Sequence, residues 1–318
     1  PPAPRSDANA MLDSSGLLHR LDNDGATRWA WRQTSQQPRP PSASALAACG
    51  FTGSEFVAAA DADARNLLVL LHGLGDEPEP FAKFARKMAL PQTAALALRA
   101  PLPLPAGIEI GRAWFDSFEA DGALIAPRSG ERRRVRSLEQ TCAKLRALVA
   151  LLRSSGWAHE RIFLLGFAQG GTAALAYALR SEHRLGGVAS VCGHVLPESE
   201  DRAAAPAARQ TPMLVLAGER DAQTPAAEAR RLFDRLKTRV VDARASDGGA
   251  APAAGLEFFA LAGNRGEMPR DEASMRPLMA WFARHLDLRS KALEEAAEDG
   301  TLLRVGTDVK VVREADLN

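Results

Sequence analysis

Gly166-Phe167-Ala168-Gln169-Gly170-Gly171 lies between an apolar run, Arg161-Ile162-Phe163-Leu164-Leu165, and an alanine-rich stretch with the character of a helix. Strand, glycine turn and helix in that order match the G-x-S-x-G arrangement. There a serine stands on a strained strand-to-helix turn with its hydroxyl presented above the sheet. The turn glycines are in place here, and Ala168 stands where the serine would. A methyl group cannot attack a carbonyl, so serine acylation is not expected of this chain.

The pattern continues on both sides of the turn. Asn66-Leu67-Leu68-Val69-Leu70-Leu71 is a short apolar run followed by His72-Gly73-Leu74-Gly75, as in a buried parallel strand that ends in a tight loop. Phe81, Phe84 and Met88 recur at helical spacing, and 93–98 reads as a strand stopped by Pro101. Ser137 and Gln140 form a capping-box pair ahead of Leu138, Cys142, Leu145, Leu148, Val149 and Leu152, in a helix ending at Gly156. Further strands are predicted at 161–165, 187–192, 212–217 and 257–261. Helices are predicted at 169–180 and 225–237, with a last one carrying Met275, Leu278, Met279, Phe282 and Leu286. This alternation predicts an α/β class: a doubly wound, mostly parallel sheet with helices on both faces. The Ala/Gly/Pro-rich segments 199–209 and 243–254 read as surface loops.

The ends differ from the middle. Residues 1–48 read as an N-terminal extension with one strand at 27–32, 49–288 as the main domain, and 289–318 as a C-terminal extension. In the latter, 301–306 and 309–312 pair as a hairpin. Paired Trp29 and Trp31 in a polar arm point to packing on the parent domain or on a partner rather than to ligand binding.

Composition narrows the function classes. The chain has 318 residues, 46% hydrophobic and 25% charged, the balance of an ordinary soluble globular protein. A net charge of +1 gives no reason to expect nucleic acid or an anionic membrane as partner. Basic residues are 34 Arg against 6 Lys, a bias of composition, so Arg132-Arg133-Arg134 reads as a solvated loop. Cys49, Cys142 and Cys192 are odd in number and widely spaced, which excludes a disulfide framework or a cysteine metal site. Cys142 and Cys192 read as buried thiols, consistent with a reducing compartment. No apolar run reaches the roughly 18 residues of a membrane helix. Asp7, Asp13, Asp22 and Asp24 are foreign to an acid-poor transit peptide. A presequence removed further upstream would give an organellar location, the mitochondrion foremost. Gly73-Leu74-Gly75 is neither a P-loop nor a dinucleotide fingerprint, and no carboxylate/histidine cluster has metal-ligand spacing, so neither cofactor nor metal is expected.

Four segments together resemble the acyl-protein thioesterase/carboxylesterase branch of the α/β-hydrolases, the phospholipase/carboxylesterase family. They are Leu70-Leu71-His72-Gly73-Leu74-Gly75-Asp76, Arg112-Ala113-Trp114-Phe115-Asp116, Gly166 to Gly171, and Pro212-Met213-Leu214-Val215-Leu216-Ala217-Gly218-Glu219-Arg220-Asp221. The similarity spans about 63–287. It implies a Ser-Asp-His triad with an oxyanion hole of two backbone amides. By this resemblance Leu74 and Gln169 supply the amides, Asp221 is the triad acid, Ala168 holds the nucleophile position, and Gly266 the histidine position before Glu267-Met268-Pro269. His72, Gly73, Trp114 and Phe115 would line an acyl pocket. Two bland readings stand beside these: Asp221 as a cap for a helix beginning near Pro225, and Trp114-Phe115 as core. His19, His159, His183, His194 and His285 are none of them at the position of the base, and His72 has structural work in its loop.

With nucleophile and base both absent, the first reading is a pseudoenzyme: a hydrolase fold kept as a structural or interaction subunit, its extensions meeting protein partners in a larger assembly. A deliberate serine-to-alanine trap would explain Ala168 but not Gly266. The alternatives are a weakly active or altered carboxylesterase or acyl-thioesterase (or an engineered nucleophile mutant of one), and an acyl-ligand binding module.

Overall fold

The computed structural model describes residues 38–60, 64–105, 111–126, 131–199, 204–242 and 255–288, and the backbone of five short strands nearer the ends. The chain divides into two compact units, Gln37–Asp287 and a second made of Pro1–Gln36 with Leu288–Asn318.

In the larger unit the elements run α1 (Ala43–Ala48), β1 (Glu55–Val57), β2 (Asn66–Leu71), α2 (Pro78–Met88), β3 (Thr93–Leu98), α3 (Arg133–Ser154), β4 (Ile162–Phe167), α4 (Gln169–Ala178), β5 (Gly187–Val191), β6 (Met213–Gly218), α5 (Ala226–Asp242), β7 (Leu256–Leu261) and α6 (Glu272–His285). The seven strands form one sheet in the order β7-β6-β5-β4-β2-β3-β1, parallel throughout except for the antiparallel edge strand β1. Every residue of β2, β3 and β6 is buried, because a parallel sheet carries helices on both faces. Successive side chains alternate between those faces. Leu67, Val69 and Leu71 pack on one side with Leu145, Leu148 and Leu175, whereas Leu68 and Leu70 pack on the other with Phe81, Trp281 and Phe282. The alanine-rich β3 has little strand propensity of its own, and its place in the sheet is set by this double burial.

Predicted strands and helices of this unit recur within a few residues of their expected bounds, with four differences. The helix α3 begins at Arg133, so Ser137 lies inside it. Its buried hydroxyl accepts from the Asp116 amide at 3.0 Å instead of forming a capping box with Gln140. Arg133 and Arg134 are consequently helical rather than in a loop. Arg133 is paired with Glu119 and Glu131, and Arg134 with Glu198. Within 199–209, Ala204, Ala208 and Arg209 are buried, so this stretch packs on the domain through a short 3-10 turn at Pro206–Arg209. Helix α1 lies before residue 49 yet belongs to this unit, since Leu46 and Phe51 join the core beside Trp114 and Leu145. The predicted loop 243–254 lies outside the described residues.

The smaller unit is a five-stranded antiparallel sheet in the order 11–12, 17–21, 27–31, 302–305, 308–311. The strand near 27 and the C-terminal hairpin were expected. Their pairing across the chain, with Leu303 opposite Arg28, was not.

Candidate functional site

The turn after β4 is strained in the way the sequence implies. Ala168 has φ 47° and ψ −113°, a conformation that L-residues seldom adopt and that costs on the order of 1–3 kcal/mol. It is held from both sides: the Ala168 amide donates to the Val191 carbonyl at 2.8 Å, and its own carbonyl accepts from the Thr172 amide at 3.0 Å. The flanking glycines are steric necessities. A β-carbon on Gly166 would run into the Gly170 backbone, and one on Gly170 into the carbonyls of Leu71 and His72. The start of α4 is thereby pressed against the end of β2, which brings Gln169 beside the His72–Gly75 loop.

That loop is braced from within. Ala100 donates to His72 Nε2 at 3.0 Å, so the ring proton sits on Nδ1 and is donated to the Gly73 carbonyl at 2.7 Å. Burial lowers the His72 pKa, and the imidazole stays neutral. The loop amides of Gly73, Gly75 and Asp76 are engaged by Asp76 Oδ2, the Arg112 carbonyl and the Gly73 carbonyl. Gln169 opens α4, and its N–H is one of the donors that a helix leaves without an internal partner. Its side chain spans the facing segment: Oε1 accepts from the Trp114 amide at 2.6 Å, while Nε2 donates to the Phe115 carbonyl at 2.9 Å and to Ser117 Oγ at 2.7 Å.

His72, Trp114 and Phe115, expected along an acyl pocket, are core residues instead. They are 0, 0 and 3% exposed, and Trp114 Nε1 donates to the His72 carbonyl at 2.8 Å. Gly73 is buried as well, packed against the Phe167 ring. Apolar side chains beside a glycine loop suit a cavity wall or a core equally well by sequence, and here packing from Phe51 and α3 closes the space.

Asp221 and Gly266, to which the resemblance gave the acid and histidine positions, lie side by side. Asp221 is buried, and its Oδ1 accepts from the amides of Gln223 at 2.8 Å and Thr224 at 3.2 Å, so it caps the turn leading into α5. A β-carbon on Gly266 would stand 2.9 Å from Asp221 Cγ and Oδ2, and Gly266 has φ +92°, where any L-residue is strained. The carboxylate already fills the space that the first atom of a histidine side chain would need.

Among the described residues, Cys192 and His194 beside the turn are poorly suited to act as nucleophile or base. Cys192, at the end of β5, also has positive φ (55°), but burial pushes its thiol up to about 11, and a protonated thiol is a poor nucleophile. Burial pushes His194 down to about 4, the Asp221 and Glu228 carboxylates opposing. A base that weak contributes little at neutral pH. His159 and His183 stack on one another with centroids 4.0 Å apart, and His285 packs on Trp281; His19 belongs to the smaller unit. Among the described residues no three His, Cys, Asp or Glu side chains converge as metal ligands, and no helix is long and apolar enough to cross a membrane.

A pocket of about 340 Å³ opens beside the elbow, between α2 and the loop that precedes α6. Its walls are Phe81, Phe84, Phe167 and Met268, with Asp76, Glu267 and Arg270 as the charged lining and Gly266 at one side. Phe81 and Phe84 carried only a helical period in the sequence. Only the approach of Phe167 and the 266–270 loop makes them a wall.

A mostly parallel sheet with a strand–elbow–helix turn above its centre, and a glycine loop pressed against that turn, defines an α/β-hydrolase. The chain belongs to the Phospholipase/Carboxylesterase family, whose pattern matches residues 52–247. It is 33% identical over 139 residues to an uncharacterized hydrolase of Schizosaccharomyces pombe, covering 42% of this chain and 55% of that one. It is 31% identical over 150 residues to an uncharacterized hydrolase of Mycosarcoma maydis, with 45% and 54% covered. The chain thus spans about half the length of the curated relatives it matches. Solved structures with the same fold include Arabidopsis thaliana SOBER1 (22% identity, 70% of this chain and 100% of that one, TM-score 0.55) and Zea mays acyl-protein thioesterase 2 (18% identity, 74% and 99%, TM-score 0.55).

Proposed function

We propose that this chain is a family member that has abandoned hydrolysis and serves as a non-catalytic subunit of a larger assembly, in which the terminal arms meet protein partners. The observation that carries this reading is the contact between Gly266 and Asp221, in which the acid caps a helix turn and occupies the base's place. Together with Ala168 it removes attack and proton transfer at once. On this reading the amides of Leu74 and Gln169 are a remnant of the oxyanion hole. Such a remnant, with binding, supports about 10³–10⁴-fold acceleration over water in enzymes of the same logic, far below metabolic turnover. The reducing, organellar setting expected from the sequence belongs to the same proposal.

Two measurements test it. Purified protein is offered p-nitrophenyl esters and acyl thioesters beside an Asp221→Ala control, and equal rates are expected. Native protein from its source is sized by gel filtration. A peak only at the mass of the 34.0 kDa chain would sink the subunit reading. The apolar pocket beside the elbow favours a second reading, in which the chain holds an acyl-type ligand without cleaving it.

A further inference from the structure

The charged lining of the pocket is asymmetric. Its wall is aromatic and apolar, from Phe81, Phe84, Phe167 and Met268, with the Phe81 and Phe167 rings 6.4 Å apart. Its charged lining is two carboxylates, Asp76 and Glu267, against one guanidinium, Arg270. Arg270 lies 4.0 Å from Glu267 within the same loop, with both side chains largely exposed. That pair offsets itself and leaves Asp76 as the unbalanced charge among the described residues of the lining. Asp76 is half-buried, and its Oδ2 accepts from the Gly73 amide at 3.1 Å. Leu74 and Gln169, the two amides that would welcome an anion, are not among the residues that line the pocket.

Aromatic faces attract cations through their ring quadrupole, and the Asp76 carboxylate repels an anionic head while favouring a positive one. We propose that this pocket takes a ligand with an apolar body and a cationic head, a primary or quaternary amine, the body lying on the three phenylalanines and the head at Asp76. The proposal rests on the reading of the pocket as a ligand site and replaces the acyl-type ligand by a cationic one, since a free fatty acid is the ligand that the charged lining disfavours.

Octylamine, octanoate and octanol share one body and differ in the head. Their binding to the full chain at neutral pH is compared by calorimetry and ligand-detected NMR. Octylamine is expected to bind about tenfold more tightly than octanoate, with octanol between them and the gap closing as salt is raised. Asp76→Asn, which keeps an acceptor for the Gly73 amide, is expected to erase most of that gap and leave octanol unchanged. Phe84→Ala is expected to weaken all three. Octanoate binding as tightly as octylamine, with Phe84→Ala still weakening both, overturns the charge preference and leaves an apolar ligand site. Binding of none of the three overturns the site itself.

Discussion

Gly266 and the Asp221 carboxylate face each other at a distance that leaves no room for a side chain: a β-carbon on Gly266 would lie 2.9 Å from Asp221 Cγ. On the proposed non-catalytic reading, the loss of the base lies in the backbone as well as in the residue type. The loop has settled at φ +92°, a conformation that suits glycine, and the acid has turned to the amides of Gln223 and Thr224.

Restoring the triad by sequence alone should fail for this reason. Ala168→Ser places a hydroxyl on an elbow already bent for it and is expected to fold normally without gaining esterase activity. Gly266→His must displace Asp221 and bear a positive φ, at a cost of about 1–3 kcal/mol. A lowered denaturation midpoint for Gly266→His, and no ester turnover in the double variant, are the expected results. Wild-type stability with restored turnover would show that the site was merely unoccupied by its residues.

Asp221 should matter to stability without mattering to rate. Removing a side-chain cap typically costs about 1 kcal/mol. Asp221→Ala is expected to shift urea denaturation by that amount. Asp221→Asn keeps an acceptor for the two amides and should recover part of the loss. Neither should change the background rate on a p-nitrophenyl ester.

Gln169 should be the more damaging loss. Its side chain satisfies the buried Trp114 amide and the Phe115 carbonyl, and Gln169→Ala leaves both without that partner. An unsatisfied buried group costs about 1–3 kcal/mol, so a total of about 3 kcal/mol is expected in chemical denaturation. Gln169→Glu keeps the acceptor for Trp114 but loses the donor to Phe115, and should fall between.

His194 predicts an acid-sensitive fold. Burial holds it at about 4, against an ordinary value of 6.5. The folded-state pKa is the lower one, so the unfolded chain binds the extra proton between those values. Stability from this group is complete above about pH 6.5 and is lost as pH falls towards 4, by at most about 3 kcal/mol. Denaturation midpoints at several pH values in that window should fall with pH, and His194→Gln should flatten the decline. An unchanged slope in the variant would assign the acid sensitivity to other groups.

Residue pattern alone carried the sheet and the elbow. Apolar six-residue runs such as Asn66–Leu71, closed by a glycine or proline turn and alternating with helical periods, admit few arrangements other than a parallel sheet. Local rules were weaker at α3, where Ser137 looked like a cap. Proximity to Asp116, 21 residues away in the chain, gave that hydroxyl a different partner, and the helix starts earlier, at Arg133. The pairing of Arg28 with Leu303 had no local signal at all.

For the site, the absence of a hydroxyl at Ala168 and of an imidazole at Gly266 is a property of composition at two positions and needs no coordinates. Whether Trp114 and Phe115 line a pocket or fill the core, and whether Asp221 orients a base or caps a turn, depends on which groups meet them in space. A side chain's chemistry is written in its residue type, but its role follows from its neighbours. Asp221 spends Oδ1 on two backbone amides and faces, at Gly266, a glycine with no side chain to orient.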